Sequence, residues 1–342
     1  MAGMVLTRRG ALLATMGVLA APALTRAADP IRLRCSLDTA PSHPRNKAVT
    51  DYLNKVEEAL QGAVKPELFQ SGQLYPDLQV ARALLQGEVD MAVPGAWTLT
   101  GLVSDFDFGQ LPILYGQPIE LLHRASDGGV GAHLTRQIEA KLRTHVLGRF
   151  TDLGYQNWYT TGRAIHRLAD LKGMKIRSPG GAGIAWRIRY VEAIPNTTAW
   201  PNVPLALSQG TFDGFVSTDE SCTTAQLWEA GVKHSYADHQ FAGQYVPMLS
   251  GAFWAKLNDA QRKTMKDIWA ANIDAYRAAA MASQQAARGT MESKGVMFVD
   301  PSPQQLAADR RGMIAKQDEL IRDAKLSPEL VRLVTEAVGS AA

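Results

Sequence analysis

Short β-forming runs alternate with helix-patterned runs along the first hundred residues, and that alternation is the strongest constraint on the fold. Ile31 to Leu37 is a strand pattern that stops at Asp38-Thr39-Ala40-Pro41, and a helical pattern runs from about Arg45 to Ala59. Gly62 to Phe69 is the next strand, Gly72-Gln73-Leu74 a turn, Asp77 to Gln86 a helix, and Val89 to Pro94 a third strand ending at Gly95-Ala96-Trp97. β-branched and aromatic runs bounded by Gly, Pro and Asp read as strands, and strands alternating with helices imply parallel βαβ units. The class is therefore α/β. One echo points to two related lobes: Leu85-Gln86-Gly87-Glu88-Val89-Asp90 recurs as Ser208-Gln209-Gly210-Thr211-Phe212-Asp213. In each copy Gln-Gly ends a helix, where Gly suits a left-handed cap, and Asp begins a strand. A length of 342 residues accommodates two lobes.

The amino terminus reads as a secretory signal rather than as part of the fold. Arg8-Arg9 precede an apolar run from Ala11 to Leu24, too short to span a bilayer comfortably, and Thr25-Arg26-Ala27-Ala28 offers small residues for cleavage. Thr7-Arg8-Arg9 hints at the twin-arginine route. Residues 1–28 are thus expected to be removed on export to the periplasm. Export permits a disulfide, and Cys35 and Cys222 are the two cysteines; a bridge and two buried thiols are both open readings. A net charge of +3 with no basic block excludes a nucleic-acid partner.

Further along, Phe106 to Leu114 reads as a strand or hinge segment, Pro118 to Arg143 as helix broken at its glycines, and His145 to Tyr155 as a strand. His123, His133 and His145 lack metal-ligand spacing. Trp158 to Ile165 is the expected crossing between lobes, and His239 to Ser250 the return, with a short helix over Ala225 to Ala230 between them. Asn258 with Gln261 three residues on is a helix start. From there to Ser293 only Gly289 interrupts, giving about 35 residues or roughly 50 Å of helix, longer than one small lobe. Val296 to Val299 reads as a last strand, with helices over Pro303 to Lys325 and Pro328 to Val338.

The stretch most suggestive of function is Leu168 to Ser217. Lys175-Ile176-Arg177 is a β-type run halted by Ser178-Pro179-Gly180-Gly181, with a helical pattern behind it. Arg177 therefore stands at the carboxyl end of a strand, where open α/β sheets bind ligands. Its guanidinium is a permanently charged fork suited to a carboxylate, and the N–H groups of the following helix would favour the same anion. No Asp or Glu lies between Asp170 and Glu192 to neutralise it locally.

LADLKGMKIRSPGG followed by PLALSQGTFDG resembles the solute-binding proteins of tripartite ATP-independent periplasmic (TRAP) transporters, dicarboxylate-binding type, over nearly the whole mature chain. The resemblance implies two lobes, 29–158 plus 246–283 and 159–245 plus 284–342, each a mostly parallel sheet flanked by helices, with a long helix lying across both. It implies that Arg177 pairs with a ligand carboxylate in the interlobe cleft, and that Arg163 helps bind the ligand or holds Arg177. Ser217 matches a position where the family often has Asn, and Thr218 could share its role; this chain reads Gly-Phe-Val-Ser-Thr where Gly-Gln-Glu-Asn-Pro is usual, which leaves the ligand's polar groups open. Asp38, Trp97 and Trp200 match cleft positions, with Trp158 and Tyr159 as possible additions. Several Trp around one Arg suit an acid with an apolar or aromatic body. Asp38 could equally serve as a turn residue, and Asp219 with Glu220 as a solvated turn or a cation site. The implied partners are a small organic acid and the membrane subunits of a transporter, with a monomeric binding protein and no cofactor.

The chain has no Walker-type phosphate loop, no H-E-x-x-H and no G-x-S-x-G. Two other readings share the scaffold: a periplasmic lyase-like enzyme with Asp38 or His43 as base, and an extracytoplasmic sensor subunit.

Overall fold

The structure is a computed structural model describing residues 29–339. The expected signal peptide, residues 1–28, lies outside the described residues. Eleven strands are described: β1 (Ile31–Ser36), β2 (Val64–Phe69), β3 (Met91–Ala92), β4 (Thr144–Val146), β5 (Thr151–Thr160), β6 (Lys175–Ser178), β7 (Ile194–Thr197), β8 (Gly214–Ser217), β9 (His234–Tyr245), β10 (Met248–Ser250) and β11 (Met297–Val299). They form two sheets, ordered β2-β1-β3-β10-β4 and β11-β9-β5-β8-β6-β7.

The predicted βαβ units hold. β1 runs parallel to β2, with Ile31 opposite Val64 and Ser36 opposite Phe69, and parallel to β3; β6 runs parallel to both β7 and β8. The sheets are nevertheless mixed, because β10 pairs antiparallel with β3 and β4, and β5 antiparallel with β8 and β9. These antiparallel strands adjoin the segments where the chain changes sheet. The chain leaves the first sheet between Val146 and Thr151 and returns between Tyr245 and Met248. The first change therefore precedes the Trp158–Ile165 crossing expected from sequence, since β5 already pairs along the second sheet from Thr151.

Other segments differ from expectation for local reasons. Phe106–Leu114 is not a strand but two 3-10 turns, Ser104–Gln110 and Pro112–Leu114. Proline cannot donate to a ladder, and Phe106, Phe108, Leu111 and Leu114 enter the core from the turns instead. β3 is two residues long because Asp90 accepts from the backbone and guanidinium of Arg34, and Pro94 follows. The helix expected over Ala225–Ala230 forms earlier, at Asp219–Thr224, where the Thr218 side chain accepts from the Ser221 N–H. The final helix, Pro328–Val338, packs on helices Ile119–Ser126 and Gly129–Leu142, and the second of these lies against β4 of the first sheet.

The long helix spans Asp259–Ser293, 35 residues, and starts with the Asn258/Gln261 capping box. Met265, Trp269, Ile273, Tyr276, Ala280, Ala287 and Met291 are its buried apolar positions, one face of a 3.6-residue period. Each large apolar side chain buried there contributes about 1.5–3 kcal/mol. The first half meets helix Pro44–Ala59, where the Tyr52 and Trp269 rings stand 5.3 Å apart. The second half meets the other lobe: Gln284 donates to the Leu153 carbonyl and Ser283 to Glu220. Cys35 and Cys222 are both free thiols, buried in different parts of the molecule.

Candidate functional site

Strands from both sheets end at one cavity between them. Asp38 follows β1 and Trp97 follows β3; Arg177 and Pro179 lie at the end of β6, and Ser217 closes β8. Trp200 and Tyr245 complete its aromatic wall. This is the carboxyl-end geometry expected of open α/β sheets. The lips meet above it: a methyl group added to Gly72 would stand 2.9 Å from Pro201 Cγ.

Arg177 is 2% exposed. Its Nε donates to the Thr198 carbonyl at 2.9 Å and its Nη1 to the Val216 carbonyl at 3.3 Å, which fixes the fork in place. The Trp200 ring lies 5.5 Å from Cζ. Among the described residues no carboxylate forms an ion pair with it. Burial pushes the guanidinium down to about 9, with the more distant Asp38 acting in the opposite direction. It remains charged at neutral pH and lacks a counter-ion, an expensive arrangement for a buried ion.

Arg45, from the opposite side, was not anticipated. It is equally buried, donating to Asp38 Oδ1 and Asp77 Oδ2, each at 2.6 Å, and to the Val93 carbonyl at 3.0 Å. Its Cζ lies 4.3 Å from the centre of the Tyr245 ring. Asp38 Oδ2 takes the Asp77 N–H at 3.0 Å. The Asp38 carboxylate thus faces the cavity already committed to the protein, closer to the structural role than to the ligand role. Two carboxylates share one guanidinium, and burial pushes Asp77 up to about 7 against the pull of Arg45.

Of the remaining expected residues, Ser217, Trp97 and Trp200 line the cavity, whereas Thr218 and Arg163 do not. Thr218 is fully buried, with its hydroxyl on Ser221. Arg163 is exposed, with its guanidinium on the carbonyls of Asp170 and Lys172, which precede β6. It therefore sits at the opposite end of the strand from Arg177. Trp158 and Tyr159 also lie outside the cavity. Trp158 donates to Asp238 at 2.8 Å, and Tyr159 bonds Asp219 and stacks on Phe215.

The helix N-terminus expected to attract the ligand anion, at Ala182–Tyr190, is occupied by the protein itself. Asp107 Oδ2 accepts the Gly183 N–H at 2.9 Å. Burial pushes that carboxyl up to about 7, with the Gly183 and Ala182 N–H groups opposing it. The Asp219–Glu220 turn is not solvated: Asp219 bonds Tyr159, and Glu220 bonds Ser283. Among the described residues no group of three or more His, Cys, Asp or Glu is placed to hold a metal ion.

Gln156 was overlooked as well. It is buried on β5, lines the cavity, and its Nε2 has no hydrogen-bond partner. No local sequence signal marks it: β5 runs antiparallel to β8 with Asn157 opposite Ser217, so its middle residues, not its last ones, reach the cleft.

Comparison with known proteins agrees with this architecture. The model of the family described as "Bacterial extracellular solute-binding protein, family 7" (DctP) matches residues 36–323. The C4-dicarboxylate-binding periplasmic protein DctP of Rhodobacter capsulatus is 26% identical over 319 residues, 92% of this chain and 94% of that one. Among solved structures, the sugar acid binding protein DctPAm of Advenella mimigardefordensis in complex with galactonate superposes with a TM-score of 0.85 at 20% identity, covering 92% of this chain and 99% of that one. A TRAP periplasmic solute binding protein of Sulfurospirillum deleyianum with bound succinate gives 0.82 at 21% identity, covering 90% and 99%. Two sheets joined by paired crossings and one long helix, with a counter-ion-free arginine between them, fit what the family model finds: this chain belongs to the DctP family of extracellular solute-binding proteins of TRAP transporters.

Proposed function

We propose that this protein captures a small organic acid in the periplasm and presents it to the membrane subunits of a TRAP transporter. The observation that carries the reading is Arg177, a buried cation held by two backbone carbonyls and lacking a carboxylate. A ligand carboxylate supplies the missing charge and a bidentate acceptor for the fork. Relatives whose names cite C4-dicarboxylates, galactonate and succinate are consistent with an acid ligand. Trp97, Trp200 and Tyr245 would lie against an apolar or flat body of the acid, and Ser217 offers a hydroxyl to it.

The lobes are taken to close by hinge motion at Leu147–Phe150, at Val246–Pro247 and in the long helix. Arrival through the signal at residues 1–28, function as a monomer and transfer to membrane subunits belong to the same reading. A lyase would need a free base beside the ligand. Asp38 is committed to Arg45, while His43 Nδ1 accepts from the Arg45 N–H and its Nε2 lies 3.3 Å from Ser221. Burial holds that imidazole well below its usual range.

The test is a thermal-shift panel of organic acids on the mature chain, with recovered ligand analysed for chemical change. Stabilisation by an acid that is released unaltered, and its loss in Arg177→Ala, is the expected result. Turnover of the acid, or undiminished binding by Arg177→Ala, would overturn the reading.

A further inference from the structure

The charge inventory of the cavity narrows the class of acid. Asp38, Asp77 and Arg177 are its charged lining residues, and Arg45 lies directly behind the first two. Two guanidinium groups against two carboxylates sum formally to zero, but they are unevenly shared. Arg45 is saturated by Asp38, Asp77, Thr39 and the Val93 carbonyl. Only Arg177 has charge to offer. The remaining wall is neutral: the rings of Trp97, Trp200 and Tyr245, aliphatic side chains, Thr and Ser hydroxyls including Ser217, and the Gln156 side chain, whose enclosed Nε2 has no partner.

From this distribution we infer that the site selects acids carrying a single negative charge, and that the Gln156 amide, turned about its last side-chain bond, donates to an uncharged oxygen of the same ligand, a carbonyl or hydroxyl. This deepens the proposed function and rests on its assignment of Arg177 to the ligand carboxylate. A second ligand carboxylate meets aromatic faces, neutral hydroxyls or the Asp38–Asp77 edge. None of these supplies a counter-charge, and a buried carboxylate without one is strongly disfavoured. A neutral oxygen carries no such penalty. It also relieves a buried amide whose missing partner is otherwise a standing cost.

Matched acids separate the possibilities by calorimetric titration of the mature chain. 2-Oxopentanoate and 2-oxoglutarate share a chain length and differ by a terminal carboxylate; benzoate and terephthalate differ in the same way on a ring; pentanoate lacks the oxo group. The expectation is at least one monoacid binding with its dianionic counterpart more than 100-fold weaker. In Gln156→Leu, 2-oxopentanoate should lose about tenfold relative to pentanoate. In Asp77→Asn, which keeps an acceptor for Arg45 while removing a charge, the gap between mono- and dianion should shrink at least tenfold. Should Asp77→Asn fail to fold, the matched pairs and Gln156→Leu still decide. A dianion binding as tightly as its monoacid overturns the single-charge inference yet leaves acid capture at Arg177 standing. An unchanged 2-oxopentanoate to pentanoate ratio in Gln156→Leu overturns the role of Gln156. Silence from every monoacid here counts against the inference, whereas silence across the whole acid panel removes the proposed function itself.

Discussion

Two arginines are buried to the same degree on opposite sides of one cavity, and their surroundings are opposite in kind. Arg45 is wrapped by Asp38, Asp77, Thr39, the Val93 carbonyl and the Tyr245 ring. Arg177 has two carbonyls and the Trp200 ring. Burial lowers the proton affinity of both, but at Arg45 the neighbouring Asp77, Tyr245 and Asp38 reverse it, whereas at Arg177 Asp38 and Cys222 oppose it without reversing it. The first is a structural ion, with its desolvation offset internally. The second is held ready for an external anion, and the fold bears the cost until one arrives. That is the stability–function trade expected where binding needs an unsatisfied group.

Removing each arginine is the most direct way to break this contrast. Arg45→Ala leaves two buried carboxylates without their cation and should cost about 3–5 kcal/mol, lowering Tm by on the order of 10 °C. Arg177→Ala should leave the Tm of the unliganded protein unchanged or raised, while binding falls at least 100-fold. Thermal melts and titrations on the two variants check both. Equal destabilisation by the two would erase the distinction.

The same contrast extends to the carboxylates. Asp38 and Asp77 have a cation, whereas Asp107 has only the N–H groups at the start of helix Ala182–Tyr190, and its Oδ1 lacks a partner. Its folded pKa of about 7 lies above the ordinary 3.8. The native state therefore binds the proton more tightly than the unfolded chain. The stabilisation is full below about pH 4 and is lost as pH rises through 7, at most about 4 kcal/mol for such a shift. Asp77 and Asp238 are pushed up to about 7 too, chiefly by burial. Tm should thus fall between pH 5 and pH 8, and Asp107→Asn should flatten part of that slope. A slope unchanged in the variant would mean that Asp107 is ionised at no such cost.

How far these arginines could be told apart in the sequence depends on the range of the interaction. Arg177 was legible because everything that places it is local: a four-residue strand, a Pro-Gly-Gly stop and no acidic neighbour. The long helix was legible for the same reason, from its Asn258/Gln261 start and its uninterrupted period. Arg45 was not, because Asp77 lies 32 residues away and meets it only after β1 and β3 pair. Arg163 shows the converse error. The resemblance placed it beside the ligand or Arg177, but a match in sequence says nothing about which end of a strand a side chain occupies, and it bonds the carbonyls ahead of β6 rather than lining the cleft. Gln156 was hidden by strand direction, since only the antiparallel pairing of β5 with β8 brings mid-strand residues to the site.

Closure over Arg177 offers a subtler probe. Gly72 and Gly173 both have left-handed backbone, with φ of +72° and +76°, but only Gly72 faces another lip; nothing lies within 4 Å of a methyl group built on Gly173. Alanine at either position should cost a similar 1 kcal/mol or so of backbone strain. Only Gly72→Ala should also weaken ligand binding, by about tenfold, because its methyl group presses on Pro201. Equal affinities in the two variants would mean that the lip contact plays no part in closure.

The smallest effect expected is at Trp200, whose ring stands over the Arg177 guanidinium. Contact between that ring and the bound acid is worth about 1 kcal/mol, so Trp200→Ala should weaken acid binding about fivefold and Trp200→Phe by less. The direction is the informative part. The ring attracts the same charge that the ligand carboxylate neutralises, so it acts as a partial substitute for the missing counter-ion. If that substitution matters more than the ring's contact with the ligand, Trp200→Ala would lower the Tm of the unliganded protein without changing affinity. If contact with the ligand dominates, affinity falls and the unliganded Tm holds. Arg45, under the Tyr245 ring but already paired with two carboxylates, should show neither effect on binding when Tyr245 is replaced by Phe, which keeps the aromatic face and removes only the hydroxyl.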